Sequence, residues 1–288
     1  MRRKAWWITA AAWSAAAWGG ITQGAMTNNI MVVGYWPPSN EMLRPFSTNP
    51  AQNPLGWQGQ NWEGRGYNIH AFFPEFPGGI GQNPRGEGDF EVDYQDTSED
   101  FWRITEEIKP VAIVTFSRGS AGANWELEYR FRNRKQWIDD YLVPSQPTPS
   151  QPEMERDAEA LRYSTLPMAA IRSAVNGAGL GLNAFVDLSS PQLAGGFLSE
   201  FLGYHGVWYQ SLHSLATDPA QVLAAGHIHV GTWTSPWQAA EATKVTLRTL
   251  IDNLGPAVAV PSPGVSAIAL AGLGLMRRRR RGGLASRG

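Results

Sequence analysis

The sequence predicts an α/β protein: three layers, α/β/α, around a mixed, mostly parallel central sheet. Three observations carry that expectation. Short apolar or β-branched runs recur at 30–33, 111–116, 182–187 and 223–230. Segments with helical spacing alternate with them along the chain. Strands that alternate with helices need a sheet covered on both faces. The 288 residues suffice for one good-sized α/β domain, expected over 26–256, and no internal repeat is visible.

Taken in order, 30–33 is a buried strand ending at Gly34, and Tyr35-Trp36-Pro37-Pro38-Ser39-Asn40 forms the loop at its carboxyl end. In open α/β sheets that edge is where ligands bind. Residues 49–65, rich in Asn, Gln, Gly and Trp, predict a surface insertion, with Trp57 and Trp62 as an exposed contact surface. Residues 67–73 form a second strand, and 77–89 a Gly/Pro-rich loop. Thr97-Ser98-Glu99-Asp100 opens a helix by its capping and acidic residues, and Pro110 ends it. The β-branched run 111–116 is a central strand, and 117–122 a loop. Residues 125–131 alternate like one strand, and 143–152 is a Pro/Ser/Gln linker inside the domain. A helix at 167–176 stops at Gly177, and a strand follows at 182–187. A helix opening near Ser199 comes next, then the strand 223–230, then a helix at 237–254 closed by Gly255-Pro256.

Composition narrows the function. There is no cysteine, which excludes disulfides, zinc–thiolate sites and thiol catalysis. The formal charge of −1 hides an asymmetry: nine basic residues sit in the two end segments, and no Asp or Glu precedes Glu41 or follows Asp252. The body thus holds 15 basic against 25 acidic residues, a surface unsuited to nucleic acid.

The ends predict export. Arg2-Arg3-Lys4, an uncharged apolar stretch and a small-residue exit match a secretory signal peptide over 1–25. At the other end, Val260-Pro261-Ser262-Pro263-Gly264 precedes a short apolar run and five arginines, 277–281. That tail, 257–288, resembles the PEP-CTERM sorting signal of bacterial envelope proteins, with Pro-Ser-Pro where Pro-Glu-Pro is usual. The resemblance implies an exosortase-type partner, transient membrane contact through the terminal segments, and a destination in the cell envelope or outside the cell.

Chemistry concentrates on a few residues. Small residues Ala194, Gly195 and Gly196 lead into a helix start carrying Ser199. Free N–H groups and the helix dipole there suit an oxyanion, and equally an ordinary helix cap. His229 lies near the end of the next strand, and Glu128 near the end of an earlier strand-like run. Hydroxyl, imidazole and carboxylate on separate elements are the parts of a nucleophile, base and orienter. His227 and His229 share a face if their segment is a strand, but no third metal ligand is evident. No metal and no cofactor are therefore expected.

These residues bring a resemblance with them. Arg162-Tyr163-Ser164-Thr165-Leu166-Pro167, Ala194-Gly195-Gly196-Phe197-Leu198-Ser199, His227-Ile228-His229-Val230 and Gly34-Tyr35-Trp36-Pro37 are similar to motifs of the pyroglutamyl peptidase I (pyrrolidone-carboxylate peptidase) family. Glu128 with Asn133 matches a fifth. The resemblance implies Ser199 as nucleophile, His229 as general base and Glu128 as its orienter. It also implies substrate contacts from Tyr35, Trp36 and Phe197, and a small peptide or N-blocked amide as substrate. Three departures stand out: Ser199 replaces the family's Cys, Glu200 its following Asn, and Pro38 an opening Phe. A serine hydroxyl needs base assistance at the moment of attack. The expectation is an exported amide or ester hydrolase, with an inactive binding or envelope protein on the same fold as the alternative.

Overall fold

The computed structural model describes residues 27–141, 151–188 and 195–256. The expected leader (1–25) and sorting tail (257–288), most of the expected linker, and Ala194 lie outside the described residues.

Six strands form the central sheet: β1 (Asn29–Val33), β2 (Asn68–Phe72), β3 (Ala112–Arg118), β4 (Asn124–Glu128), β7 (Asn183–Asp187) and β8 (Ala224–Val230). Their order is β2-β1-β3-β8-β4-β7. Neighbours run parallel except at the β8–β4 seam, where the pairing is antiparallel. The sheet is therefore mixed and mostly parallel, as predicted. A separate two-stranded ribbon joins β5 (Arg130–Arg132) to β6 (Leu161–Tyr163).

Four helices cover the two faces. Helices α2 (Met168–Gly177) and α4 (Pro236–Leu254) bury Ile171, Val175, Leu247 and Leu250 with the outward side chains Val32, Val114 and Ile228 of the sheet. On the other face, α1 (Tyr94–Ile108) and α3 (Leu198–Leu212) bury Phe101, Ile104, Phe201 and Leu202 against Met31, Val33 and Ile113. Alternate residues of one strand feed opposite cores, the period-two signature of a sheet buried on both sides. Helix α4 starts with a capping box: Ser235 Oγ accepts from Gln238 N–H, and Ser235 N–H donates back to the Gln238 side chain.

Three local expectations change. Helix α1 opens at Tyr94, not at Thr97, because the buried Asp93 carboxylate accepts the Asp96 N–H at 2.6 Å. The stretch 125–131 is two strands, since the chain leaves the main sheet at Tyr129; its carbonyl accepts from Ser164 N–H, which brings β6 alongside β5. Residues 49–65 do form a surface insertion, but its two tryptophans are not free contacts. Trp62 is buried edge-on to Phe46, and Trp57 Nε1 donates to Ile69 O at 2.8 Å.

Helix α3 sits unusually close to the sheet. A Cβ on Gly203 would meet a Phe131 ring carbon at 2.4 Å and His227 Cβ at 3.1 Å, so only glycine permits this approach. That contact fixes the start of α3 above the β8 histidines.

Candidate active site

A cavity of about 550 Å³ opens where β1, β3 and β8 end and α3 begins. All six residues singled out from the sequence line it: Tyr35, Trp36, Glu128, Phe197, Ser199 and His229. They come from four separate segments of the chain.

The sheet wall is a chain of hydrogen bonds. Thr115 Oγ1 lies 2.7 Å from His227 Nδ1, Ser117 Oγ 2.8 Å from His227 Nε2, and the same Oγ 2.9 Å from His229 Nδ1. Register explains the set. β3 pairs Thr115 with His227 and Ser117 with His229, while β4 pairs Glu128 with His227 and Glu126 with His229. Every second residue faces the cavity side, so three strands deliver hydroxyls, imidazoles and carboxylates to one patch. His229 Nε2 lies 3.5 Å from Glu128 Oε2, an ion-pair distance. Glu128 is 6% exposed, and that oxygen has no hydrogen-bond partner among the described residues.

Electrostatics follow from this placement. Burial holds His227 well below the ordinary imidazole range, and the neighbouring His229 adds to the effect. Burial also opposes charge on His229, but Glu128, with Glu126 and Asp187 behind it, lifts it above its ordinary value. Burial, with Asp187 beside it, raises the Glu126 carboxyl despite the offsetting pull of His229. Gly119 makes room for the imidazole, since a Cβ there would stand 2.9 Å from His229 Cβ.

The opposite lip is the start of α3. Its N-cap is Phe197, which offers no side-chain cap, and Ser199 occupies the second helical position. Ser199 is thus not the helix cap that a structural role required. Its Oγ makes no hydrogen bond to His229 or to any other described residue. The N–H groups of this first turn have no intrahelical acceptors, and Leu198, Ser199 and Glu200 all line the cavity. Two left-handed glycines, Gly195 (φ +52) and Gly196 (φ +74), bring the backbone in.

Glu200 holds the lip in place. It is buried, accepts from Gly196 N–H at 2.9 Å and Arg132 N–H at 3.1 Å, and pairs with Arg134 Nε at 2.6 Å. Its charge is therefore answered locally and not turned loose beside the hydroxyl. Of the aromatic candidates, Tyr35 is buried with its OH 2.6 Å from Thr97 Oγ1, and burial keeps its phenol well above the ordinary range. Trp36 is anchored by Nε1 to Pro84 O, and Phe197 is exposed at the cavity rim.

Sequence reasoning missed Ser117, assigned to a loop, together with Glu126, Asp187 and the cavity-lining Arg118. Alternation at Glu126/Glu128 and His227/His229 was the available signal; the strand pairing that joins them was not.

No protein-family model and no curated protein matches the sequence. Solved structures do match. The pyrrolidone carboxyl peptidase of Thermococcus litoralis aligns over 81% of this chain and 99% of its own, at 17% identity and a TM-score of 0.55. That of Pyrococcus furiosus, solved with its Cys-free mutant, aligns over 79% and 100%, at 15% identity and a TM-score of 0.55. At such identity the likeness establishes architecture: this chain has the fold of the pyrrolidone carboxyl peptidases.

Proposed function

We propose that this chain is a serine-dependent hydrolase acting on an amide or ester bond of a small, N-blocked, pyroglutamyl-like substrate. One observation carries the reading: Ser199, His229 and Glu128, far apart in sequence, converge on one cavity. In the proposed reaction Ser199 Oγ adds to the carbonyl carbon while its proton passes to His229. The carbonyl oxygen becomes an oxyanion beside the first-turn N–H groups of α3. The carbon–nitrogen bond then breaks, and His229 returns the proton to the leaving amine. Water repeats the sequence on the acyl ester and frees Ser199. Glu128 offsets the imidazolium charge, and Tyr35, Trp36 and Phe197 wall the acyl pocket. Residues 1–25 would carry the protein out of the cytoplasm, and the arginine-tipped tail would be handled by an exosortase-type enzyme. The absence of cysteine suits such a compartment.

A second reading, a binding protein without turnover, has its own support. Both nitrogens of His229 already have partners, Ser117 and Glu128, and neither makes a hydrogen bond to Ser199. A fluorophosphonate probe and a pyroglutamyl amide, tried on the purified chain, separate the two. The expected result is turnover, with the label mapped to Ser199 and lost in Ser199→Ala. Label on Ser117 instead moves the nucleophile to β3. No label and no turnover leaves the binding reading.

A further inference from the structure

We propose that Glu128, His227 and His229 form a binding site for one divalent transition-metal ion of the Zn²⁺ class. The inference goes beyond the hydrolase reading and stands on geometry alone.

Each of the three residues offers a ligand atom, and these atoms lie within 4.8 Å of one another. The Nε2–Oε2 separation of 3.5 Å is long for a hydrogen bond. It is the edge of a coordination tetrahedron: two donors about 2.0–2.1 Å from one Zn²⁺ stand about 3.3–3.4 Å apart. Glu128 Oε2 is the second, independent observation. It is a carboxylate oxygen on a side chain more than nine-tenths buried, aimed at the imidazoles and without a hydrogen bond among the described residues. The His229 ring at 3.5 Å answers its charge without making a hydrogen bond, which leaves a buried carboxylate oxygen open to a cation.

The surroundings orient the ligands. Thr115 Oγ1 takes the Nδ1 side of His227, and Ser117 Oγ the Nδ1 side of His229. If both accept N–H, both histidines present an Nε2 lone pair, the arrangement that outer hydroxyls and carboxylates give to metal-binding histidines. Ser117 Oγ stands on the His227 Nε2 lone pair at 2.8 Å, so its hydroxyl must swing to another rotamer for the ion to enter, and the ion then takes over the orienting of both rings. Two imidazoles and one carboxylate, with the cavity supplying a fourth position, are a zinc-type donor set and not a calcium or magnesium one.

A second group of acids, Glu91, Asp93 and Asp96, is a contrast. Its carboxylates are spent on the start of α1 and on Arg85. The proposed ion would hold the same imidazole that acyl transfer needs, so occupancy and serine catalysis exclude each other.

The test uses the full chain after chelator treatment. Titration with Co²⁺ alone is expected to give the visible spectrum of a four-coordinate ion at one equivalent, displaced by Zn²⁺. Glu128→Gln and His227→Asn should weaken binding more than about 10-fold, with Ser117→Ala as a milder third variant. Glu91→Gln should change nothing. Thermal midpoints confirm that each variant folds. No saturable Co²⁺ or Zn²⁺ binding by the unmodified chain overturns the proposal, and so does binding that follows Glu91 and ignores Glu128. Fluorophosphonate labelling keeps the two readings apart. A bound metal without labelling of the stripped chain sinks only the hydrolase, whereas labelling without metal binding sinks only the metal site.

Discussion

The two sides of the cavity are built by different means. On the sheet wall, strand register places every polar group, and Thr115, His227, Ser117 and His229 form one continuous hydrogen-bonded chain. On the α3 lip, backbone placement is just as definite, yet the Ser199 hydroxyl has no hydrogen bond among the described residues. Order there comes from Gly195, Gly196, Gly203 and the Glu200–Arg134 pair, none of which touches Ser199 Oγ. The wall's polar groups answer one another, whereas the lip is fixed by groups other than the hydroxyl it carries.

That contrast can be broken most strongly at Glu200. Glu200→Ala removes a buried ion pair and orphans the Gly196 and Arg132 N–H groups. We expect a loss of about 3 kcal/mol in urea unfolding, with the lip, not the wall, losing amide protection in hydrogen exchange. Equal loss on both sides would show that the two do not behave as separate units.

Acid sharpens the same contrast. His205, further along α3, is buried against Phe101 and Trp102 with its pKa lowered to about 4 by that burial, partly offset by its bond to Phe201 O. The unfolded chain therefore binds this proton more readily than the fold does. Its contribution is complete above about pH 6.5 and falls between about 6.5 and about 4, by about 3 kcal/mol in all. Urea midpoints measured across that range should decline, and His205→Leu should decline less. Identical slopes would remove His205 as the cause.

Gly203→Ala tests the contact between the two sides directly. A new methyl would press on the Phe131 ring and on His227 Cβ. The expected cost is about 1–3 kcal/mol, together with a change in the His227 imidazole NMR signal. An unmoved signal would mean that α3 yields without disturbing the wall.

The sequence made some of this legible and hid the rest for physical reasons. β1, β3 and β8 show plainly because strands buried on both faces are nearly continuous apolar runs. The break at Tyr129 is invisible because alternation continues across it into β5. Asp93 is overshadowed as a cap by the stronger-looking Thr97-Ser98-Glu99-Asp100. Ser199, His229 and Glu128 emerge from spacing only as one of many chance triples; the family resemblance singled them out. Ser117, Glu126 and Asp187 escape altogether, because their meeting depends on which strands pair and in which direction.

The reversed strand β4 also fixes the cavity wall from its far side. Trp125 and Leu127 alternate with Glu126 and Glu128, are fully sequestered beneath α2 and α4, and Trp125 Nε1 donates to Thr246. Slippage by one position would drive two carboxylates into oil and turn an indole toward the cavity. Residues on the far face of β4 thus set where Glu126 and Glu128 point. Point substitution can diversify this rim, while a change in strand length cannot.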